Sequence, residues 1–451
     1  MTRQPKRILT WLFCIVLLAL GRPTQSEDWP GWRGKDRAGI WREEGIVEKL
    51  PEQLPILWRH PVSDGYAGPA VSKGRVFVMD RALERGENNP DNPFDRSAVQ
   101  GYERVLCLNA DTGDEVWVHR YRAEYTISYP AGPRATPQVD DDRVYTLGAM
   151  GELRCLSTDA GKVLWSKNFV RDFGTEINNW GMAAAPLVDG DHLILLAGGK
   201  DGAGVICLDK RTAEVRWKAL EAPDPGYAAP CIFGTGDHRQ LIAWLPDAVY
   251  SLDPATGRKL WEEPFALNFG LSVMTPVFDE ATRRLFVSSF YNGPLMLELS
   301  AAEKAPAAKV LWRGKSESEQ ETDGLHALMC TPYFKDGYIY GICSYGQLRC
   351  LKAATGKRIW ETFAATGEGR WWNAFLIPHG DKTVICNEQG DLIFAELSPK
   401  GYREIGRTRL IAPTRKVRRR ETIWSHPAFA GRRVYARNDK EIICADLAIT
   451  R

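Results

Sequence analysis

Side chains able to stack on a flat ligand or to grip an anion recur a few residues ahead of the prolines that open apolar runs. They are Tyr66, Arg134, Trp180, Tyr227, His326 and Trp424, with Trp372 in a stretch that lacks such a proline. Aromatic faces and guanidinium groups attract π systems and anions through stacking, cation–π contact and charge-assisted hydrogen bonds. These residues therefore read as groups that bind a ligand or partner, provided the fold brings distant loops to one axis. No catalytic residue is assigned.

The other reactive side chains carry no pattern that chemistry requires. The seven histidines contain no His-Glu-x-x-His and no close pair, and no Cys-x-x-Cys-His is present, so zinc and attached haem have no signal and no metal site is expected. Cys107, Cys155, Cys207, Cys350 and Cys444 hold one recurring place in a repeated unit. Such places lie too far apart for a bridge, which needs Cα atoms within about 7 Å, so these thiols read as small buried hydrophobes. One pair differs: a two-residue turn at Asp336-Gly337 sets Cys330 opposite Cys343, where a cross-strand disulfide is admissible.

The elements that must position these groups announce themselves by repetition. Cys107-Leu-Asn-Ala-Asp-Thr-Gly113 leads to Trp117, Cys155 to Gly161 leads to Trp165, Ser251 to Gly257 leads to Trp261, and Cys350 to Gly356 leads to Trp360. Cys207 to Ala213 leads to Trp217 with Ala in place of Gly. Two copies have drifted: Val310-Leu-Trp312 keeps the Trp without the Gly, and Gly401-Tyr-Arg-Glu-Ile405 keeps the Gly with Ile in the Trp place. The prolines at 69, 137, 186, 230, 276, 332 and 427 form the second series, leaving room for an unmarked copy around Phe375 to Ile377. Hairpin signals such as Val71-Ser-Lys-Gly-Arg-Val76 and Phe334-Lys-Asp-Gly-Tyr338 lie between.

Each unit thus reads as strand A after its Pro, then B, then C with the Cys/Ser-Leu pair, then D with the Trp. Four antiparallel strands make a propeller blade. Proline has no N–H to donate, so strand A is an edge, as the innermost strand lining a channel must be. The last unit, Thr422 to Ile449, has only three strands, while Pro55-Ile-Leu-Trp58-Arg-His-Pro61 is an isolated D-like piece. The expected fold is all-β: an eight-bladed β-propeller of four-stranded antiparallel blades, with the N-terminal strand closing the last blade.

The recurring strand-D tryptophans are then packing elements between blades, not a cofactor site. Residues 82–104, with Asn88-Asn-Pro-Asp-Asn-Pro-Phe94, form an insertion in the first blade that matches no spaced calcium loop and reads as a surface loop. Arg415-Lys-Val-Arg-Arg-Arg420 reads as a solvated loop joining the last two blades.

Over 451 residues, 59 Lys and Arg face 57 Asp and Glu, so no global field draws the chain to nucleic acid. The start carries Arg3, Lys6 and Arg7, an apolar run from Ile8 to Leu20 containing Cys14, and a small-residue site at Thr24-Gln-Ser26. This reads as a signal peptide over 1–26, followed by an N-terminal extension at 27–54 and a single propeller domain at 55–451. The product is expected to be exported, periplasmic or extracellular, with no transmembrane segment after cleavage; Ile8 to Leu20 is short of the roughly 20 apolar residues a span needs.

The repeated Ala-Asp-Thr-Gly with Trp four residues on, and the opening Asp28-Trp-Pro-Gly-Trp-Arg-Gly34, resemble the pyrroloquinoline-quinone-like (PQQ-like) repeat propellers of the quinoprotein alcohol dehydrogenase-like superfamily, over residues 28–449. Trp-Asp repeat propellers match less well, since their Gly-His and Trp-Asp pairs are missing. The resemblance implies one of two roles. The family's dehydrogenases hold the quinone and a calcium ion over the channel, beside a disulfide between adjacent cysteines; this chain has no Cys-Cys pair. Its other members are scaffolds, such as the propeller lipoprotein of outer-membrane protein assembly. The expectation is a non-enzymatic binding or scaffold protein of the cell envelope, with a protein partner or small ligand at the propeller face. The alternative is a divergent quinoprotein oxidoreductase using PQQ and calcium.

Overall fold

The computed structural model describes residues 27–300, 306–417 and 419–449; the signal segment expected at 1–26 lies outside them. The described residues form eight four-stranded antiparallel sheets and one two-stranded hairpin. In the first blade strands A to D are Ala70–Ser72, Arg75–Leu83, Gly101–Asn109 and Glu115–Arg122, paired in that order. The prolines of the second series stand immediately before strand A, which is an edge of its sheet in every blade. The unmarked seventh copy is present, with strand A at Ala374–His379.

The repeated residues turn out to be one packing device. The small Cys or Ser of strand C faces the Trp of strand D across the ladder, as in Cys107–Trp117, Cys155–Trp165, Cys207–Trp217, Ser251–Trp261 and Cys350–Trp360, with a bulge directly after. A small side chain there leaves room for the indole. The Trp then reaches the next blade: Trp117 donates its indole N–H to Thr158 O at 3.0 Å, Trp165 to Lys210 O at 3.1 Å and Trp312 to Ala353 O at 2.8 Å. Its ring lies on the turn glycine of that blade, where a Cβ on Gly161 would stand 2.5 Å from Trp117 and one on Gly257 2.6 Å from Trp217. Gly161 and Gly257 also have positive φ, at 64° and 73°. The glycine is thus required twice, for backbone and for clearance.

One detail differs from expectation, and one point that the residues left open is answered. In the seventh blade Ile405 falls at the bulge, and Gly406 faces Phe394, so the large residue has moved to strand C and the Trp place is empty of a large side chain. Cys330 and Cys343 are both free thiols. The ladder of that hairpin begins only at Tyr333–Tyr340, so the pair lies beyond it. The Cys343 sulfur instead accepts from His326 N at 3.3 Å and Arg349 Nη1 at 3.0 Å.

Ala213 adopts φ 62° where the equivalent turns at Gly113, Gly161, Gly257 and Gly356 use glycine. A left-handed alanine costs about 1–2 kcal/mol, partly offset by the larger unfolded-state entropy of glycine. Ala213→Gly is expected to stabilise the protein by about 0.5–1 kcal/mol, read as a raised urea midpoint at unchanged slope; a lowered midpoint would contradict this reading of the turn.

Closure is as expected. Ile56–Pro61 supplies strand D of the eighth blade by pairing with Glu441–Asp446, joining the two ends of the ring and abolishing an open edge. The segment ahead of it holds a surprise. Residues 27–47 run along the ring of A strands inside the channel and hydrogen-bond to seven of the eight blades. Trp29 pairs with Val71, Pro30 O accepts from Val139 N, Trp32 Nε1 donates to Thr275 Oγ1 at 2.7 Å, and Trp41 N donates to Pro378 O. Arg37 donates to Pro230 O and Ala185 O, and Glu43 accepts from the amides of Gly431 and Arg432. The Asp28 to Gly34 motif is therefore a channel plug. Gly34, at φ 72°, lets the chain double back under the Trp29 ring, 2.7 Å from where a Cβ would be.

Candidate functional site

Above the plug the channel widens into a cup of about 630 Å³, a volume typical of small-ligand sites. The D-to-A loops of all eight blades contribute to its wall, and Trp32 from the plug contributes too. The axis is thus blocked at one end and open at the other.

Five of the seven expected site residues meet here: Tyr66, Arg134, Trp180, Tyr227 and Trp424. Two do not. His326 is fully buried behind the wall, with Nδ1 3.2 Å from Phe290 O and Nε2 3.5 Å from Asp323, and burial holds its pKa below the usual histidine value. Trp372 packs over Gly346 and Gly367, with the Arg420 guanidinium 5.2 Å from its ring, and its neighbour Trp371 faces the cup instead. Counting back from a strand-A proline reached the cup at five of the six residues so found and failed ahead of Pro332, where Leu328 and Met329 take the wall; the seventh blade has no such proline, and the count slipped by one.

Sequence reasoning missed Trp32, Phe94, Arg96, Tyr129, Phe269, Tyr291, Arg370 and Trp371. Phe94 lies on the first-blade insertion, which is shorter than expected because strands B and C extend to Leu83 and from Gly101. It is not simply a surface loop. Tyr129 N donates to Pro93 O, Arg96 donates to Thr126 O and Asn179, and the Phe94 ring meets Tyr129 at 5.2 Å and Trp371 at 6.1 Å. The insertion is thereby folded over the rim.

The basic run is also more than a solvated loop. It forms the hairpin Arg415–Val417 with Arg420–Thr422. Arg415 ion-pairs with Asp439 and lies 4.4 Å from the centre of the Tyr66 ring, while Arg420 ion-pairs with the buried Glu388, whose other oxygen accepts from Trp424 Nε1 at 2.9 Å. Both arginines brace cup aromatics from behind.

Three bulky aromatic residues have positive φ: Tyr129 at 55°, Phe269 at 59° and Trp371 at 67°. All three line the cup. Such backbone costs about 1–3 kcal/mol per residue and persists where surrounding structure imposes it, commonly at binding and switch sites.

The electrostatics are one-sided. Among the described residues no Asp, Glu, His or Cys lines the cup, whereas Arg96, Arg134 and Arg370 do. Arg370 is neutralised by Glu319. Among the described residues neither Arg96 nor Arg134 has a carboxylate partner; Arg134 donates only to the carbonyls of Gly132, Ser128 and Tyr129. Burial raises the pKa of Tyr66 and Tyr227, which keeps both phenols protonated as donors. Among the described residues no cluster of His, Cys, Asp or Glu could hold a metal, and no helix is long and apolar enough to cross a membrane. Calcium takes about six to eight oxygen ligands, commonly with carboxylates among them; the wall of this cup does not fit that ion.

A family model described as outer membrane protein assembly factor BamB matches residues 101–362. No curated protein sequence matches the chain. Among solved structures, BamB from Moraxella catarrhalis is similar at 15% identity and TM-score 0.53, over 87% of this chain and 99% of that one. Quinohemoprotein alcohol dehydrogenase from Comamonas testosteroni is similar at 12% identity and TM-score 0.62, over 94% and 81%. The computationally designed Ika8 protein is similar at 12% identity and TM-score 0.52, over 88% and 100%. At these identities the structural likeness establishes the shared fold alone, and that fold serves an assembly factor and a dehydrogenase equally.

Proposed function

The chain belongs to the PQQ-like repeat family whose model is described as outer membrane protein assembly factor BamB, and from that premise we propose that it is an exported, non-enzymatic binding or scaffold protein of the cell envelope. One observation carries the non-enzymatic part: among the described residues the cup wall is aromatic, aliphatic and guanidinium, with Ser128 and Asn179, and holds no Asp, Glu, His or Cys. General acid–base chemistry draws most often on His, Asp and Glu, and a serine nucleophile needs an adjacent base; Ser128 instead donates to Phe94 O at 3.3 Å with no His, Lys or carboxylate beside it in the described wall. What remains suits recognition. The charged opening and small-residue site at the N-terminus support export, and the family description supports a protein partner.

The second reading, a quinoprotein oxidoreductase, is favoured by the aromatic walls and arginines of the cup. It is opposed by the lack of adjacent cysteines and of a carboxylate for calcium. Titration of the purified protein with the quinone, with and without calcium, separates the two. The expected result is no calcium-dependent heat and no dye reduction above blank with alcohols or sugars. Calcium-dependent binding coupled to dye reduction would establish the oxidoreductase instead.

A further inference from the structure

The unpaired cations and the flexible aliphatic side chains of the cup come from different sides of its axis. Arg96, Arg134 and Asn179 come from the first three blades and their loops. On the far side, Leu271, Leu328 and Met329 come from the loops leading into the fifth and sixth blades. Arg134 is held by three backbone carbonyls, and among the described residues its Nε donates to no protein atom. Burial lowers its pKa, yet a guanidinium stays charged at any physiological pH. A cation with spare donors, facing a cavity that has no carboxylate, calls for an anion from outside.

We infer that the cup takes an amphiphilic monoanion, a molecule with one anionic group at one end and an apolar body. The anionic group lies against Arg134 and Arg96, and the body lies along the apolar wall of the fifth and sixth blades. This deepens the proposed function and rests on its reading of the cup as a binding site. One anionic group is the number that fits, because Arg370 already has Glu319 and the far wall offers a second anionic group no unpaired cation, only the Tyr291 hydroxyl. The same reasoning disfavours cations, which would meet the unpaired Arg96 and Arg134 and no unpaired acid.

The test uses two fluorescent probes with the same rings, 8-anilinonaphthalene-1-sulfonate and the neutral N-phenyl-1-naphthylamine, titrated into the full-length protein. The sulfonate is expected to bind at least tenfold tighter than the neutral probe. Arg134→Gln and, separately, the exposed Arg96→Gln should each narrow that ratio while leaving the neutral probe's Kd within twofold. Arg96→Gln keeps the test alive if the better-anchored Arg134 variant fails to fold. Met329→Asp should weaken both probes. Equal affinity for the two probes, or a ratio that survives both arginine changes, overturns the monoanion assignment while leaving a binding cup in place. Failure of both probes to bind, or indifference of both to Met329→Asp, overturns the reading of the cup itself.

Discussion

Trp58→Ala is expected to cost about 3–5 kcal/mol of stability, the range for removing a buried large aromatic side chain, and to unfold the protein in a broadened transition. Trp58 is only 7% exposed and faces the small Cys444 across the ladder. Its indole N–H donates to Ala110 O at 2.9 Å, and a Cβ on Gly113 would stand 2.6 Å from its ring. These contacts repeat those of Trp117 with Thr158 and Gly161. The difference lies in the backbone. Trp117 joins blades that are covalently consecutive, whereas Trp58 belongs to a strand held to Glu441–Asp446 only by hydrogen bonds and packing. Its loss therefore weakens the seam at which the ends of the ring can part, a seam that the plug also spans through Glu43 with Gly431 and Arg432.

Trp117→Ala is the control. It should lose a similar amount of stability but keep a single sharp transition, because its blades cannot separate. Urea unfolding with hydrogen exchange at the Glu441–Asp446 amides distinguishes the two. Fast exchange confined to that strand in Trp58→Ala is the expected sign of an opened ring. A loss below about 1 kcal/mol would be too small for a buried aromatic and would show that the seam does not depend on this side chain.

What could be read from the residues, and what could not, follows from how local each device is. The blade is a local device: a small residue, a turn glycine and a Trp within one hairpin, repeated often enough that drifted copies at Trp312 and Gly401 still kept their place in the series. The plug is not local. Trp32 meets Thr275, and Arg37 meets Pro230, so no window of sequence contains both partners. The cup lies between these cases. Its D-to-A loops could be located from the strand-A prolines, but which side chain in a loop faces the axis depends on backbone turns such as the positive φ of Trp371. His326 was misplaced for a related reason: its ring turns beneath the loop to reach Phe290 O, and Leu328 and Met329 take the wall.

The plug and the cup meet at one titratable ring, and acid should act there. His426 is 8% exposed, with Nδ1 2.6 Å from Pro427 O and its ring 5.1 Å from Trp32 and 4.7 Å from Phe375. Burial, reinforced by the nearby Arg33 cation and only partly opposed by the Pro427 carbonyl, holds its pKa down at about 3. In the unfolded chain a histidine titrates near 6.5. Between those values the unfolded chain binds a proton that the folded protein refuses, so stability falls as pH falls through this window, by about 1.4 kcal/mol per unit from this group alone. Near pH 5 the loss should reach about 2 kcal/mol. His426→Asn keeps a donor near the position of Nδ1 but cannot titrate. Other groups also contribute to acid destabilisation, so the informative quantity is the difference in slope between the two proteins from pH 7 to pH 5. The wild type should lose more, by about 2 kcal/mol, in denaturant midpoints converted with a common slope. Parallel pH profiles would show that His426 accepts its proton within the fold. The ring is wedged between Trp32 of the plug and Phe375 of the cup wall. Because the fold holds that proton off until about pH 3, the floor beneath any occupant of the cup stays intact at pH 5, and the sulfonate probe should bind the folded wild type and His426→Asn with the same pH dependence from pH 7 to pH 5.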